Sequence, residues 1–94
     1  MLEAPAQPAL QRGDREAVLA DLYGRLSGLA ADEGGASEAL TWADRGLALG
    51  RQQDVLTINL LLFRSRAHRR LGHLPEARAD LEAARRIQRQ YGGG

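Results

Sequence analysis

The residues of this sequence whose side chains could carry out chemistry are two histidines, His68 and His73, and twelve acidic residues. The histidines stand five positions apart on either side of Gly72, so they do not form the pair on one helix face that helical metal sites use. The acids are spread over predicted helix surfaces, where charges of opposite sign pair in solvent. No cysteine is present, which excludes disulfides and thiolate metal sites. We therefore expect a protein that is not an enzyme, with no catalytic residue, no cofactor and no metal.

The composition is that of one folded domain of 94 residues, with 44% hydrophobic and 27% charged residues. No stretch approaches the roughly 18 apolar residues of a membrane span, and the first residues lack the pattern of a signal peptide. We expect a cytoplasmic protein with no membrane contact.

Charge is distributed unevenly along the chain. Residues 1–54 contain nine acids and five arginines, whereas residues 55–94 contain three acids and eight arginines, so the net charge changes from −4 to +5. Two parts of opposite net charge favour head-to-tail contacts between molecules, or an acidic partner at the basic part. All 13 basic residues are arginine, which suits carboxylate recognition but is also produced by a GC-rich genome.

Hydrophobic periodicity predicts four α-helices, at residues 14–32, 37–49, 54–71 and 75–90, with the third as the central helix. Asp14 and Asp54 are predicted N-caps, Gly72 suits the left-handed position past a helix end, and Pro75 suits the first turn of the next helix. Residues 1–13 and 92–94 are predicted to be a flexible leader and tail around a domain at 14–91. The fold class is all-α, with antiparallel helical hairpins. The predicted core contains Leu60, Phe63, Ala67, Ala77 and Leu81.

The two predicted hairpins repeat one pattern at an interval of 38 residues. This shift superimposes Ser27 on Ser65, Gly34 on Gly72 and Ala39 on Ala77. Small residues recur where two helices must approach closely, which is typical of a stacked helical repeat.

On these residues the chain resembles the tetratricopeptide repeat family. The second hairpin has Leu61, Ser65, His68, Gly72, Leu74, Ala77, Leu81 and Ala84 at the eight positions that the family restricts. The first hairpin has Tyr23, Ser27, Ala30, Gly34, Ala36, Ala39, Ala43 and Gly46 there. The repeat is about one helical turn longer than that of the family. The resemblance implies a short solenoid of four helices, and a generic bundle of helical hairpins is the alternative.

The resemblance also implies a function as a protein–protein interaction scaffold, such as an adaptor or a chaperone-like subunit. In that family the first helix of each hairpin lines a groove that binds a peptide segment or helix of a partner. The corresponding groove residues here are Asn59, Leu62, Arg66, Arg69 and Arg70. Their counterparts in the first hairpin are Asp21, Gly24, Gly28, Ala31 and Asp32. An acidic protein or peptide segment is the expected partner.

The ends of a repeat stack need cover, and no capping element follows the fourth helix. We expect a second copy, a longer array or a partner helix to contact Leu74, Ile87 and Tyr91. Trp42, the single tryptophan, is expected in the core, with a partner contact as the alternative.

A second class of function is contact with nucleic acid through the arginine-rich C-terminal half. The aromatic content of 4% and the net charge of +1 argue against this class, because stacking platforms and a strongly basic surface are missing.

Overall fold

The computed structural model describes residues 12–49 and 54–92, and this part of the chain is all-helical. Helix α1 spans Arg12–Asp32, α2 spans Ala36–Leu47, α3 spans Val55–Arg70 and α4 spans Leu74–Gly92. Each bound lies within two residues of its prediction, and the described residues contain no strand. The prediction of four helices is confirmed.

The predicted leader and tail fall mostly on residues 1–11 and 93–94, which lie outside the described residues. Helix α1 begins at Arg12 and α4 ends at Gly92, so the helical part extends slightly beyond residues 14–91. Asp14 lies inside the first turn of α1, where a carboxylate stabilises the partial positive charge of the helix N-terminus. Its predicted position as the residue before the helix is therefore wrong.

The ends of the other helices follow from local side-chain and backbone chemistry. Asp54 is the N-cap of α3, as predicted, and its carboxylate accepts hydrogen bonds from the backbone N–H of Leu56 at 3.0 Å and of Thr57 at 3.2 Å. Gly34 and Gly72 have φ angles of +83° and +85°, a conformation that glycine adopts without strain. Each glycine lies in a short turn, so α1 and α2 form one antiparallel hairpin and α3 and α4 form another.

The sequence repeat is also present in the hydrogen bonds that close the two hairpins. The Ser27 hydroxyl donates to the carbonyl oxygen of Ala39 at 2.7 Å, and the Ser65 hydroxyl donates to that of Ala77 at 2.8 Å. Both the donors and the acceptors are separated by 38 residues in sequence. The two hairpins are therefore closed by the same contact.

Helix α3 contacts each of the other three helices, as predicted for the central helix. Leu60 of α3 is 1% exposed and lies so close to Gly46 of α2 that an added Cβ would be 2.5 Å from its Cδ2 atom. Ala67 of α3 packs with Ala30 and Ala39. Small residues on the first hairpin thus allow α3 to approach its backbone.

The predicted core is partly confirmed. Three of its members are buried, namely Leu60, Ala67 and Ala77. Phe63 and Leu81 are only half-buried, because each lines an open cavity. The cavity at Phe63 lies between α1 and α3, and the cavity at Leu81 lies between α3 and α4. Helix α4 is anchored instead by Ala84 and Ile87, which pack with Leu61 of α3.

Truncating the buried leucine of α3 tests this packing. We expect Leu60→Ala to lower the free energy of unfolding by about 2–5 kcal/mol, because a cavity remains where α3 meets α2. Chemical denaturation followed by far-UV circular dichroism measures the change.

The matched control is Leu22→Ala, at the position of α1 that corresponds to Leu60 in the repeat. Leu22 is 47% exposed, so its loss should cost less than about 1 kcal/mol. Equal losses in the two variants would contradict the central position of α3.

Candidate interaction surfaces

Arg64 of α3 joins three helices through hydrogen-bonded ion pairs. Its guanidinium donates to both carboxylate oxygens of Asp80 on α4, at 2.9 and 2.7 Å, and to one oxygen of Asp44 on α2 at 3.1 Å. The contact with Asp80 has the two-point geometry that suits the planar arginine head. Asp80 is only 5% exposed, so the expectation that all acids are solvated is wrong at this position.

The electrostatics of Arg64 follow from these contacts. Its pKa is raised above the ordinary arginine value, mainly because it donates a hydrogen bond to Asp80. Partial burial acts in the opposite direction, and the hydrogen bond to Asp44 adds to the increase. The guanidinium therefore stays charged and fixes the orientation of α3 relative to α2 and α4.

A groove lies between α1 and α3. Near the N-terminal half of α3 it encloses about 280 Å³ and is lined by Ala20, Asp21, Gly24, Arg25, Leu56, Asn59 and Phe63. Farther along α1, a Cβ added to Gly28 would lie 3.3 Å from the Phe63 ring, so this glycine is in close contact with α3. The structure thus brings together Asn59, Asp21 and Gly24, which were predicted to share a groove.

The predicted arginine cluster lies near the C-terminal end of α3. Arg66, Arg69 and Arg70 are exposed and line an open cavity of about 470 Å³. Arg70 donates to the carbonyl oxygen of Ala31 in the last turn of α1 at 2.8 Å, and the backbone N–H of Gly34 donates to the same oxygen at 3.0 Å. Within the described residues, Arg66 and Arg69 make no ion pair. Leu62, the remaining predicted groove residue, is exposed but lines neither of these two cavities.

A third cavity lies between α3 and α4 and encloses about 280 Å³. Its lining mixes apolar side chains with two arginines and consists of Ser65, Arg69, Leu74, Ala77, Arg78 and Leu81. We call this surface the α3–α4 seat.

The α3–α4 seat corresponds in the repeat to a surface of the first hairpin that is already covered. A shift of 38 residues carries its six lining residues onto Ser27, Ala31, Ala36, Ala39, Leu40 and Ala43. Among these, Ala39 forms a cluster with Ala67 of α3, and Ala31 and Leu40 pack against that cluster. The seat is therefore the second hairpin's counterpart of the surface on which α3 packs.

Helix α1 carries an exposed counterpart of the α3 face that packs there. Val18, Leu22 and Leu29, here called the α1 stripe, are 61%, 47% and 59% exposed. The repeat shift carries Leu22 onto Leu60 and Leu29 onto Ala67, both of which are buried on α3. Exposed residues of α1 thus occupy repeat positions that α3 uses to pack on the first hairpin.

The residues predicted to contact a partner beyond the fourth helix occupy different environments. Leu74 is 53% exposed and lines the α3–α4 seat, and Tyr91 is exposed near the end of α4. Ile87 is 2% exposed, because it lies on the inner face of α4 against Leu61 and Ala84. The prediction that Ile87 belongs to a contact surface is wrong.

Trp42 is half-buried and packs within the first hairpin. Its ring stacks on Tyr23 with the centroids 6.0 Å apart, and the Arg45 guanidinium lies 5.0 Å from its centroid. Trp42 also packs against the Ala30, Ala39 and Ala67 cluster. These contacts agree with the expected packing role.

The two histidines meet in the structure, contrary to the argument from their spacing. Their Nδ1 atoms are 3.1 Å apart and their ring centroids 5.3 Å apart. The backbone N–H of His73 donates to the carbonyl of His68 at 2.7 Å, which folds the chain back at Gly72. The spacing argument considered a single helix face, whereas a tight turn brings residues five positions apart together. The glycine of this turn was the signal that could have revealed the contact.

Comparisons with protein-family models, with curated proteins and with solved structures find no match to this chain. Among the described helices, none combines the length and apolar character needed to cross a bilayer. The surfaces described above are therefore the evidence on function.

The ion pair of Arg64 can be tested by removing one charge and then both. Arg64→Leu leaves the buried Asp80 carboxylate without its cation, and we expect a loss of about 3 kcal/mol of unfolding free energy. The double variant Arg64→Leu with Asp80→Leu removes both charges and should recover most of that loss. Denaturant titration measures both values, and an equal loss in the two variants would mean that the unpaired charge is not the cause.

Proposed function

We propose that the protein is a protein–protein interaction scaffold and does not catalyse a reaction. In this proposal its two tetratricopeptide-like hairpins stack as a short solenoid, and a helix of another molecule binds at the end of the stack. The observation that carries this proposal is the correspondence between the α3–α4 seat and the surface on which α3 packs. A surface built from the same repeat positions already binds a helix within the chain, which supports helix binding at its open counterpart. The contacts of α3 with α1, α2 and α4 agree with the order of helices in such a stack.

The occupant that we propose for the seat is α1 of a second copy. The α1 stripe offers two leucines and a valine in the register that α3 uses on the first hairpin. Complete burial of such side chains contributes about 1.5–3 kcal/mol each. The acidic first part of one copy would also meet the basic second part of the next.

The register implies one specific charge contact. Within the chain, Arg70 donates to the carbonyl of Ala31. In the proposed contact, the incoming α1 takes the place of α3 and the second hairpin takes the place of the first. The position of Arg70 is then occupied by Asp32 of the incoming helix, and the position of Ala31 by Arg69 of the seat. Asp32 of the incoming helix would therefore lie beside Arg69 of the seat, and this pairing of opposite charges favours the correct orientation.

Because the two surfaces differ, each interface is heterologous and copies add head to tail. The repeat shift carries Gly46 onto Ala84, which is already buried against Leu61 and Ile87, whereas Gly46 lies against Leu60 with no space for a Cβ. Leu22 of the incoming helix must therefore pack less deeply than Leu60 does. We expect reversible association that increases with protein concentration.

Two charge-introducing variants test this assembly. Leu22→Asp disables the α1 stripe and Leu74→Asp disables the seat, and both leucines are exposed, so each chain should still fold. In sedimentation velocity, the wild type should form larger species as its concentration rises, and each variant alone should remain monomeric. A mixture of the two should form a dimer that grows no further, because one intact seat meets one intact stripe.

Val55→Asp is the control for this experiment, since Val55 is an exposed apolar residue outside both surfaces. It should associate like the wild type. A wild type that stays monomeric at every concentration, or a mixture that forms no dimer, would count against head-to-tail assembly.

A second candidate function is binding of a carboxylate-bearing peptide segment at the arginine cluster near the C-terminal end of α3. The observation that favours it is the cluster of exposed arginines, in which Arg66 and Arg69 make no ion pair within the described residues. Guanidinium groups form strong, charge-assisted hydrogen bonds with carboxylates. The exposed Leu62 offers an apolar contact on the helix that carries these arginines.

The arginine cluster is tested with a glutamate-rich peptide in fluorescence polarisation. The double variant Arg66→Glu with Arg69→Glu should weaken binding about tenfold or more, because two charge-assisted contacts are lost. Its salt dependence should also fall, and the circular dichroism spectrum should not change.

Arg85→Glu with Arg86→Glu is the control, because it changes the net charge equally at exposed positions of α4. Equal weakening in both double variants would indicate non-specific charge attraction. Tighter binding of a single-stranded oligonucleotide than of the peptide would favour the nucleic-acid alternative.

A further inference from the structure

The turn between α3 and α4 brings three metal-binding side chains together. One ligand atom from each of His68, His73 and Glu76 lies within 4.8 Å of the others, and the two histidine Nδ1 atoms are 3.1 Å apart. Two nitrogens bound at about 2.05 Å to a tetrahedral zinc ion lie about 3.3 Å from each other. We propose that these three side chains form a binding site for Zn²⁺.

The backbone holds the three positions in place. The N–H of His73 donates to the carbonyl of His68 at 2.7 Å, and the N–H of Ala77 donates to the carbonyl of His73 at 3.0 Å. Glu76 lies in the first turn of α4. The Glu76 carboxylate therefore lies near an ion that the histidines would hold.

The surroundings of His68 support ligation through its Nδ1 atom. On the other side of the ring, Nε2 lies 3.9 Å from Oδ2 of Asp80, a buried carboxylate that Arg64 holds in place. When Nδ1 binds a metal, Nε2 carries the hydrogen, and a carboxylate on that side stabilises this tautomer. Asp80 thus places a negative charge near Nε2 of the proposed ligand.

The chemistry of the ligands favours zinc. Two imidazoles and one carboxylate form a ligand set that suits Zn²⁺ better than Ca²⁺ or Mg²⁺, which prefer oxygen. Three protein ligands leave a fourth position for water or for a group from another molecule. His73 and Glu76 are exposed, so the ion can enter from solvent.

The first hairpin provides an internal comparison. At the repeat positions of His68, His73 and Glu76 it has Ala30, Gly35 and Glu38. Its turn therefore keeps the carboxylate without the imidazoles, so the proposed site belongs to the second hairpin alone. Glu38 is a matched control for Glu76.

The experiment is a calorimetric titration of the untagged 94-residue chain with ZnCl₂. The wild type should bind one ion per chain, and its thermal unfolding temperature should rise with zinc concentration. His73→Ala should abolish binding while the fold is retained, because the contacts of His73 with α3 and α4 that hold the turn are made by its backbone. Glu76→Gln should weaken binding about tenfold or more, and Glu38→Gln should leave it unchanged.

Absence of zinc binding to the wild type would overturn the proposal and leave an N–H···N hydrogen bond between the imidazoles as the reason for their contact. Binding that persists in His73→Ala, or that Glu38→Gln weakens as much as Glu76→Gln, would also overturn it. Imidazole nitrogen NMR gives a second measurement. Zinc should perturb Nδ1 of both histidines most strongly, and direct ligation at Nε2 of His68 would contradict the proposed geometry.

Discussion

Close approach of α3 to the first hairpin is the constraint on which the rest of the structure depends. Leu60 lies so close to Gly46 that position 46 has no space for a Cβ atom. Ala39 and Ala43 on the same helix are buried. At this short distance the helices gain the dense packing that stabilises protein interiors. Because the repeat shift carries Leu60 and Ala67 onto exposed leucines of α1, the packing that folds this chain also suggests how one copy can bind another.

The two hairpins are closed by the same contact but are stabilised by different side chains. Both are closed by a serine hydroxyl that donates to an alanine carbonyl on the next helix. The repeat position occupied by Trp42 in the first hairpin holds Asp80 in the second. The first hairpin is therefore reinforced by aromatic stacking, and the second by a partly buried ion pair of Asp80 with Arg64, whose carboxylate also lies near His68. Polar chemistry is concentrated in the second hairpin, where the arginine cluster and both histidines also lie.

The amino-acid sequence by itself determined the features that depend on neighbouring residues or on helical period. The four helices, the N-cap at Asp54 and the left-handed turn at Gly72 were predicted, because hydrophobic periodicity, a capping carboxylate and glycine's freedom act locally. The exposure of the arginine cluster and the sharing of a groove by Asn59 and Asp21 also agree with the sequence prediction. Because the same pattern occurs twice, the sequence also shows which positions of the two hairpins correspond.

Only the tertiary structure decided which helix faces are covered and which distant side chains meet. Periodicity identifies an apolar face but not its neighbour, so Ile87 was predicted to be on the surface although α4 turns it toward Leu61. Phe63 was predicted in the core although it borders an open groove. The contact between His68 and His73 depends on the chain reversing at one turn, and the burial of Asp80 depends on α3 presenting Arg64 to it. These outcomes are set by the relative positions of helices, which residue spacing along one helix does not specify.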